Sequence, residues 1–297
     1  MRCRSVMAEG LMDRSIFFTA FLFACSPALP PDHWEAGVDE AGITGDGSPT
    51  FVFGDAMPDV KPAEAGSCEA PDMLVILDRS ESMSSYVGTQ GTRISLAISA
   101  IEKITAAPTD AALRFGFQTL PAIGGAECST QLVVPIGSGN GAGITSALGT
   151  MNPQLDFGTP IGGALTSALA TLSKNKDPER KQYVLLVTDG GECCSCNTND
   201  YDVGIAQKLY AAGVETYVVG FGGDDDPVLL NDLACAGHTA TNFATSCACT
   251  NGACKASTSV NASTTPLYFK ASDGTGLKQA LASIANETCC GCNVSPN

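Results

Sequence analysis

From about residue 68 onward the chain alternates between two patterns. Short apolar runs occur at 73–77, 113–119, 131–136, 183–187, 216–221 and 267–269. Amphipathic stretches lie between them. Ile94, Ala97, Ile98, Ile101 and Ile104 fall on one helical face, and Ile161, Ala164, Leu165, Ala168, Leu169 and Leu172 follow the i, i+3, i+4, i+7 spacing of another. Further helical patterns run near 202–212, 227–236 and 276–286, the last with Leu277, Leu281 and Ile284 on its face. Strands alternating with helices predict an α/β domain: a doubly wound, mostly parallel sheet of about six strands with helices on both faces. The runs at 113–119 and 131–136 are joined by a Gly-rich loop without helical periodicity, which predicts a hairpin and one antiparallel edge strand. The runs at 73–77 and 183–187 lack alternation. Both are expected to be central, buried on two faces, and adjacent.

The first 67 residues read differently. Arg2, Arg4 and Arg14 precede an apolar stretch, Ile16 to Ala24, far shorter than the ~20 residues a membrane span needs. It fits the core of a signal peptide, with Met7 or Met12 as alternative starts. The stretch ends "LFAC" at Cys25, which resembles a bacterial lipobox and predicts a lipid anchor there; Phe23 is bulkier than is usual in that motif, and cleavage near Ala24 is the plainer alternative. Residues 26–67 are rich in Pro, Gly, Ala and acids, with Lys61 as the one Lys or Arg, and read as a flexible acidic tether. Exported protein is therefore expected, in a bacterial cell envelope (lipid-anchored, at the outer membrane) or outside the cell. The lipid anchor is the only membrane contact expected.

The formal charge of -15 disfavours nucleic acid as a partner, because an acidic surface repels phosphates. Of 14 cysteines, setting aside Cys3 and Cys25 leaves an even set, which an oxidising compartment converts to disulfides. Zinc is the competing reading for "CCSC" at 193–196 and "CAC" at 247–249. It is disfavoured because structural zinc sites prefer C-x-x-C pairs joined by a second pair or by histidines, whereas these clusters are C-C-x-C and C-x-C and the chain has two histidines, His33 and His238. Residues 239–265, polar and Cys-containing, are expected to be a disulfide-tied insertion rather than a second domain. In the predicted topology Cys68 and the Cys-rich tail (Cys289, Cys290, Cys292) share one pole, so Cys68 is expected to pair with one of those three. Cys193, Cys194 and Cys196 belong to the other pole. They are expected to pair with one another, with Cys128 or with the 247–254 insertion, and Cys193 and Cys194 to have different partners.

Candidate chemistry sits where strands end. "MLVILDRSESM" runs from an apolar strand straight into Asp78, then places hydroxyls at Ser80 and Ser82. Ligands of open α/β sheets bind beyond the carboxyl ends of strands, where strand order reverses. A carboxylate and two hydroxyls offer hard oxygen ligands suited to Mg²⁺ or Mn²⁺. "FGTPIGGAL" sets Thr159 and Pro160 at the start of a helix, with Thr159 either its N-cap or a third hydroxyl at the site. "YVLLVTDGGE" ends a second central strand on Asp189.

D-x-S-x-S, T-P-x-G-x-A-L and a strand ending T-D-G, in that order, resemble the von Willebrand factor type A domain with its metal-ion-dependent adhesion site. The resemblance spans 68 to about 287. It implies a metal set of Asp78, Ser80, Ser82, Thr159 and Asp189. The two serines would bind directly, Thr159 directly or through water, and the two aspartates largely through hydrogen bonds and water. It implies an open coordination position that accepts a carboxylate from a protein partner. Arg79 and Glu81 stand where small residues are common and are expected to point away from the cation. Two other classes fit the sequence less well. A haloacid dehalogenase-type phosphatase needs a second acid where Ser80 stands, and no G-x-S-x-G elbow accompanies His238, so an enzyme is not expected. A structural surface protein with a vestigial metal site is the remaining alternative.

Overall fold

The computed structural model describes residues 69–151, 156–193, 196–222, 226–289 and 294–295. The expected signal peptide, lipobox and tether (1–67) lie outside the described residues, as does Cys68.

Strands β1 (Asp72–Asp78), β2 (Arg114–Leu120), β3 (Gln131–Gly137), β4 (Gln182–Thr188), β5 (Val214–Phe221) and β8 (Phe269–Ala271) form one sheet. Two further strands, β6 (Cys247–Thr250) and β7 (Ala253–Ala256), form a separate hairpin. The helices are α1 (Arg93–Thr105), α2 (Thr109–Ala112), α3 (Gly141–Thr150), α4 (Ile161–Lys174), α5 (Asn199–Ala211), α6 (Pro227–Ala236), α7 (Phe243–Ser246) and α8 (Gly274–Thr288). The large sheet has the order β3-β2-β1-β4-β5-β8. Every pairing in it is parallel except β2 with β3, the expected hairpin and edge. β1 and β4 are neighbours, with Leu77 opposite Val187. Strand order reverses between them, since β2 and β3 extend one way and β5 and β8 the other.

Both faces of the sheet are covered. Along β1, Met73, Val75 and Leu77 pack into a core shared with α1, α3 and α8, while Leu74 and Ile76 enter a second core with α4, α5 and α6. β4 alternates the same way: Tyr183, Leu185 and Val187 on one side, Val184 and Leu186 on the other. This explains why neither strand shows a period of two in its hydrophobicity.

The helix α3 is absent from the periodicity reading. Its sequence, GAGITSALGT, is poor in helix formers. Ile144 and Leu148, four apart, are buried in the core, with Ala147 packed against it. Tertiary contacts make the helix: Asn140 donates to the Phe115 and Pro135 carbonyls just before it begins. The last strand also lies two residues later than the apolar run at 267–269 suggests, because Leu267 and Tyr268 are core residues leading into it. The Cys-rich insertion is the β6–β7 hairpin, closed by Cys249–Cys254 and tied to the end of α6 by Cys235–Cys247. It is anchored on the domain core through the buried Cys254 and Cys235.

Candidate metal centre

The end of β1 delivers Asp78 into the interior at 0% exposure. Its two oxygens are held separately. Oδ1 accepts the Ser80 backbone N–H at 2.8 Å, and Oδ2 accepts the Thr188 hydroxyl at 2.5 Å. Thr188 is the last residue of β4, so one hydrogen bond joins the ends of the two central strands. A single 3-10 turn, Glu81–Ser84, follows β1 and carries Ser82 to the surface. The Ser82 hydroxyl donates to Asp189 Oδ1 at 2.8 Å and lies 3.0 Å from Ser80 Oγ. With the Ser82 proton committed to Asp189, the Ser80 hydroxyl is the donor of that second contact.

Asp189, 1% exposed, follows β4 directly. Its other oxygen, Oδ2, accepts from Arg93 Nη1 at 2.6 Å, in an ion pair buried on both sides. Burial raises the Asp189 pKa, against the lowering effect of Arg93 and Ser82. Burial, and after it the charge of Asp189, push Asp78 up to about 7. Two carboxylates held close in a dry setting strain toward a proton or a cation.

Thr159 sits in the third loop, 5% exposed. The two possibilities left open for it are separated here. Pro160 occupies the N-cap position of α4 with no side-chain cap, and the Ile161 N–H goes to Glu192 Oε2 at 2.8 Å and to the Thr159 carbonyl at 2.9 Å. Among the described residues no hydrogen bond engages the Thr159 hydroxyl. Thr159 is therefore not the cap, and Glu192 does that work from the loop after Asp189.

Backbone bridges bind the three loops together: Ser80 with Asp156, and Thr159 with Cys193. Arg79 is buried and turned aside, paired with Asp156, whose Oδ2 also accepts the Gly124 N–H at 3.1 Å. Glu81 is exposed. Gly158, at φ +93°, rests on the Glu127 backbone, and Cys128–Cys196 links the same rim across the loop after β4. That disulfide is one of the pairings expected for the 193–196 cluster. Cys289 is also disulfide-bonded; the expected partner Cys68 is outside the described residues, as are Cys290 and Cys292.

Asp78, Ser80, Ser82 and Asp189 thus form one hydrogen-bonded cluster, and Thr159 stands in an adjoining loop with its hydroxyl uncommitted. The set contains two carboxylates and three hydroxyls, without sulfur or imidazole, which is the donor chemistry of a hard divalent cation. Four participants were not picked out from the sequence: Thr188, Arg93, Asp156 and Glu192. Thr188 lies within the T-D-G motif, and Arg93 left a signal as a basic residue in the first turn of a helix, against the helix dipole. The others depend on which loops meet.

Residues 73–192 match the family described as von Willebrand factor type A domain. A structure of proximal thread matrix protein 1 from the mussel byssus superposes with a TM-score of 0.52 at 16% identity, covering 73% of this chain and 46% of that one. A second structure of that mussel protein, with a zinc-occupied MIDAS motif, gives 0.51 at 16% identity over 72% of this chain and 48% of that one. The von Willebrand factor type A protein from Catenulispora acidiphila gives 0.51 at 16% identity over 73% and 42%. The chain therefore spans less than half the length of each of these three, and at these identities the likeness is one of fold. No curated protein matches the chain. The sheet order, the three motif loops and the family match agree over residues 73–192: this region is of the von Willebrand factor type A kind.

Proposed function

We propose that this domain is a divalent-metal-dependent protein-binding module displayed on a bacterial cell surface. The observation that carries the reading is the cluster Asp78–Ser80–Ser82–Asp189, assembled from loops at the carboxyl ends of β1 and β4, beside the uncommitted hydroxyl of Thr159. These five side chains would hold Mg²⁺ or Mn²⁺. When bound, the cation would offer an open coordination position to a carboxylate of a protein partner. The chain's own residues supply the rest. Ser82, exposed above buried neighbours, makes the cluster reachable from solvent. Thr188 and the Ser80 N–H hold Asp78, and Ser82 and Arg93 hold Asp189, so the donors are oriented before anything binds. Exposed Tyr86 and Phe157 on the surrounding loops add apolar contact area of the kind that anchors protein interfaces.

The reading requires no reaction at the site. Titration calorimetry with Mn²⁺ on the purified protein tests the metal. Wild type is expected to bind and Asp78→Ala to lose binding with an unchanged far-UV circular dichroism spectrum; equal affinity in the two would sink the assignment. The same protein, used to capture envelope proteins with and without a chelator, tests the partner. Export and lipid attachment at Cys25 belong to the same proposal, and are tested by fatty-acid labelling of cells expressing wild type and Cys25→Ser.

A further inference from the structure

We propose that Arg93 is a built-in counter-cation of the metal centre: it neutralises Asp189 when no metal is bound, and so lowers the affinity of the site for a divalent ion. The inference rests on the metal-binding reading above and adds to it the residue that sets how tightly the ion is held.

Three observations converge. First, Arg93 occupies an unfavourable place for a cation. It is the first residue of α1, at the positive end of the helix dipole, and is 6% exposed. A buried charge there persists only with an opposite charge in contact, and Asp189 Oδ2 provides it at 2.6 Å. Second, the fold makes room for the guanidinium. Gly222, just past the end of β5, has φ +111°, and a Cβ there would lie 2.5 Å from Arg93 Nε and 2.8 Å from Cζ. Any larger residue at 222 would displace the arginine. Third, the two oxygens of Asp189 are divided. Oδ1 faces the cluster through Ser82, and Oδ2 is taken by Arg93. Arg93 therefore leaves the oxygen on the ligand side available. It withdraws negative charge from the carboxylate in a poorly screened setting, where a charge acts strongly.

The consequence is a trade between two states. Arg93 stabilises the metal-free domain by compensating a buried acid, and the same compensation weakens attraction for a cation. A site tuned this way would exchange its ion readily and respond to its concentration.

The test compares Mn²⁺ dissociation constants of full-length wild type, Arg93→Gln and Arg93→Lys. Glutamine can still donate to Asp189 but carries no charge; lysine keeps the charge. Affinities are read by competition with a chelating indicator, starting from Mn²⁺-loaded protein, so that a variant unstable without metal is still measured. Arg93→Gln is expected to bind Mn²⁺ about tenfold more tightly than wild type, and Arg93→Lys to stay within about threefold of it. Metal-free Arg93→Gln should also melt at a lower temperature than metal-free wild type, with the difference largely removed by saturating Mn²⁺. Unchanged or weaker Mn²⁺ binding by Arg93→Gln, with wild type binding normally, overturns the role of Arg93 and leaves the metal site standing. Absence of Mn²⁺ binding by wild type overturns both.

Discussion

Thr188 donates its hydroxyl to Asp78 across the seam between the two central strands, at 2.5 Å. The bond joins the last residue of β4 to the last residue of β1, one position before Asp189. It is how the sheet brings two acids 111 positions apart into one cluster. Replacing Thr188 by Val conserves shape and leaves the buried Asp78 oxygen without its donor. Thr188→Val is expected to lower unfolding stability by about 1–3 kcal/mol. Urea denaturation with an unchanged m-value checks this, and a wild-type midpoint would show that the bond contributes nothing.

Asp202 on α5 is fully buried against Gly162, beside the Glu192 carboxylate. Burial, and then the neighbouring Glu192 carboxylate, push its pKa up to about 8. Folded Asp202 thus holds a proton that the unfolded chain releases near the ordinary value of 3.8. The contribution of Asp202 to stability is then fully present at the acid end and is lost as pH rises from about 4 to about 8. Asp202→Asn should remove that fall, giving a protein about 1–3 kcal/mol more stable than wild type at pH 8 and nearly equal to it near pH 4. Urea titrations at the two pH values decide it; parallel pH profiles for the two proteins would refute the assignment.

The disulfide Cys128–Cys196 spans 68 positions and clamps the rim beside Thr159. On the chain-entropy account a loop of that size contributes about 4 kcal/mol. The Cys128→Ser, Cys196→Ser double variant should be destabilised by up to that amount and should bind Mn²⁺ more weakly, since the Thr159 loop loses its brace. Calorimetry and thermal melts read both effects. Peptide mapping of unreduced protein should also find Cys68 linked to Cys289, Cys290 or Cys292 at the other pole; a link from Cys68 to the 193–196 cluster would contradict the two-pole arrangement.

Tyr86 is 77% exposed and Phe157 66%, on loops that flank the cluster. A Tyr86→Ser, Phe157→Ser variant is expected to keep wild-type Mn²⁺ affinity and unfolding midpoint while losing most chelator-sensitive capture of envelope proteins. Undiminished capture would remove the two aromatics from the binding face.

By itself the sequence determined the layered α/β architecture, the antiparallel edge, the adjacency of β1 and β4, and the acids and hydroxyls of the candidate site. These were legible because they follow from local rules. An apolar run without alternation has to be buried on both faces, and an acid directly after such a run has to emerge at the strand's end. The tertiary structure alone decided α3, whose poor intrinsic propensity is overridden by packing of Ile144 and Leu148. It alone decided that Glu192, rather than Thr159, caps α4. It also assigned the partners Thr188 to Asp78, Arg93 to Asp189 and Arg79 to Asp156. Each of these pairs joins residues 77 to 110 positions apart. No periodicity along a chain encodes such contacts. They exist because the parallel crossovers return successive strand ends to the same edge of the sheet, where loops from distant segments must satisfy one another's buried charge.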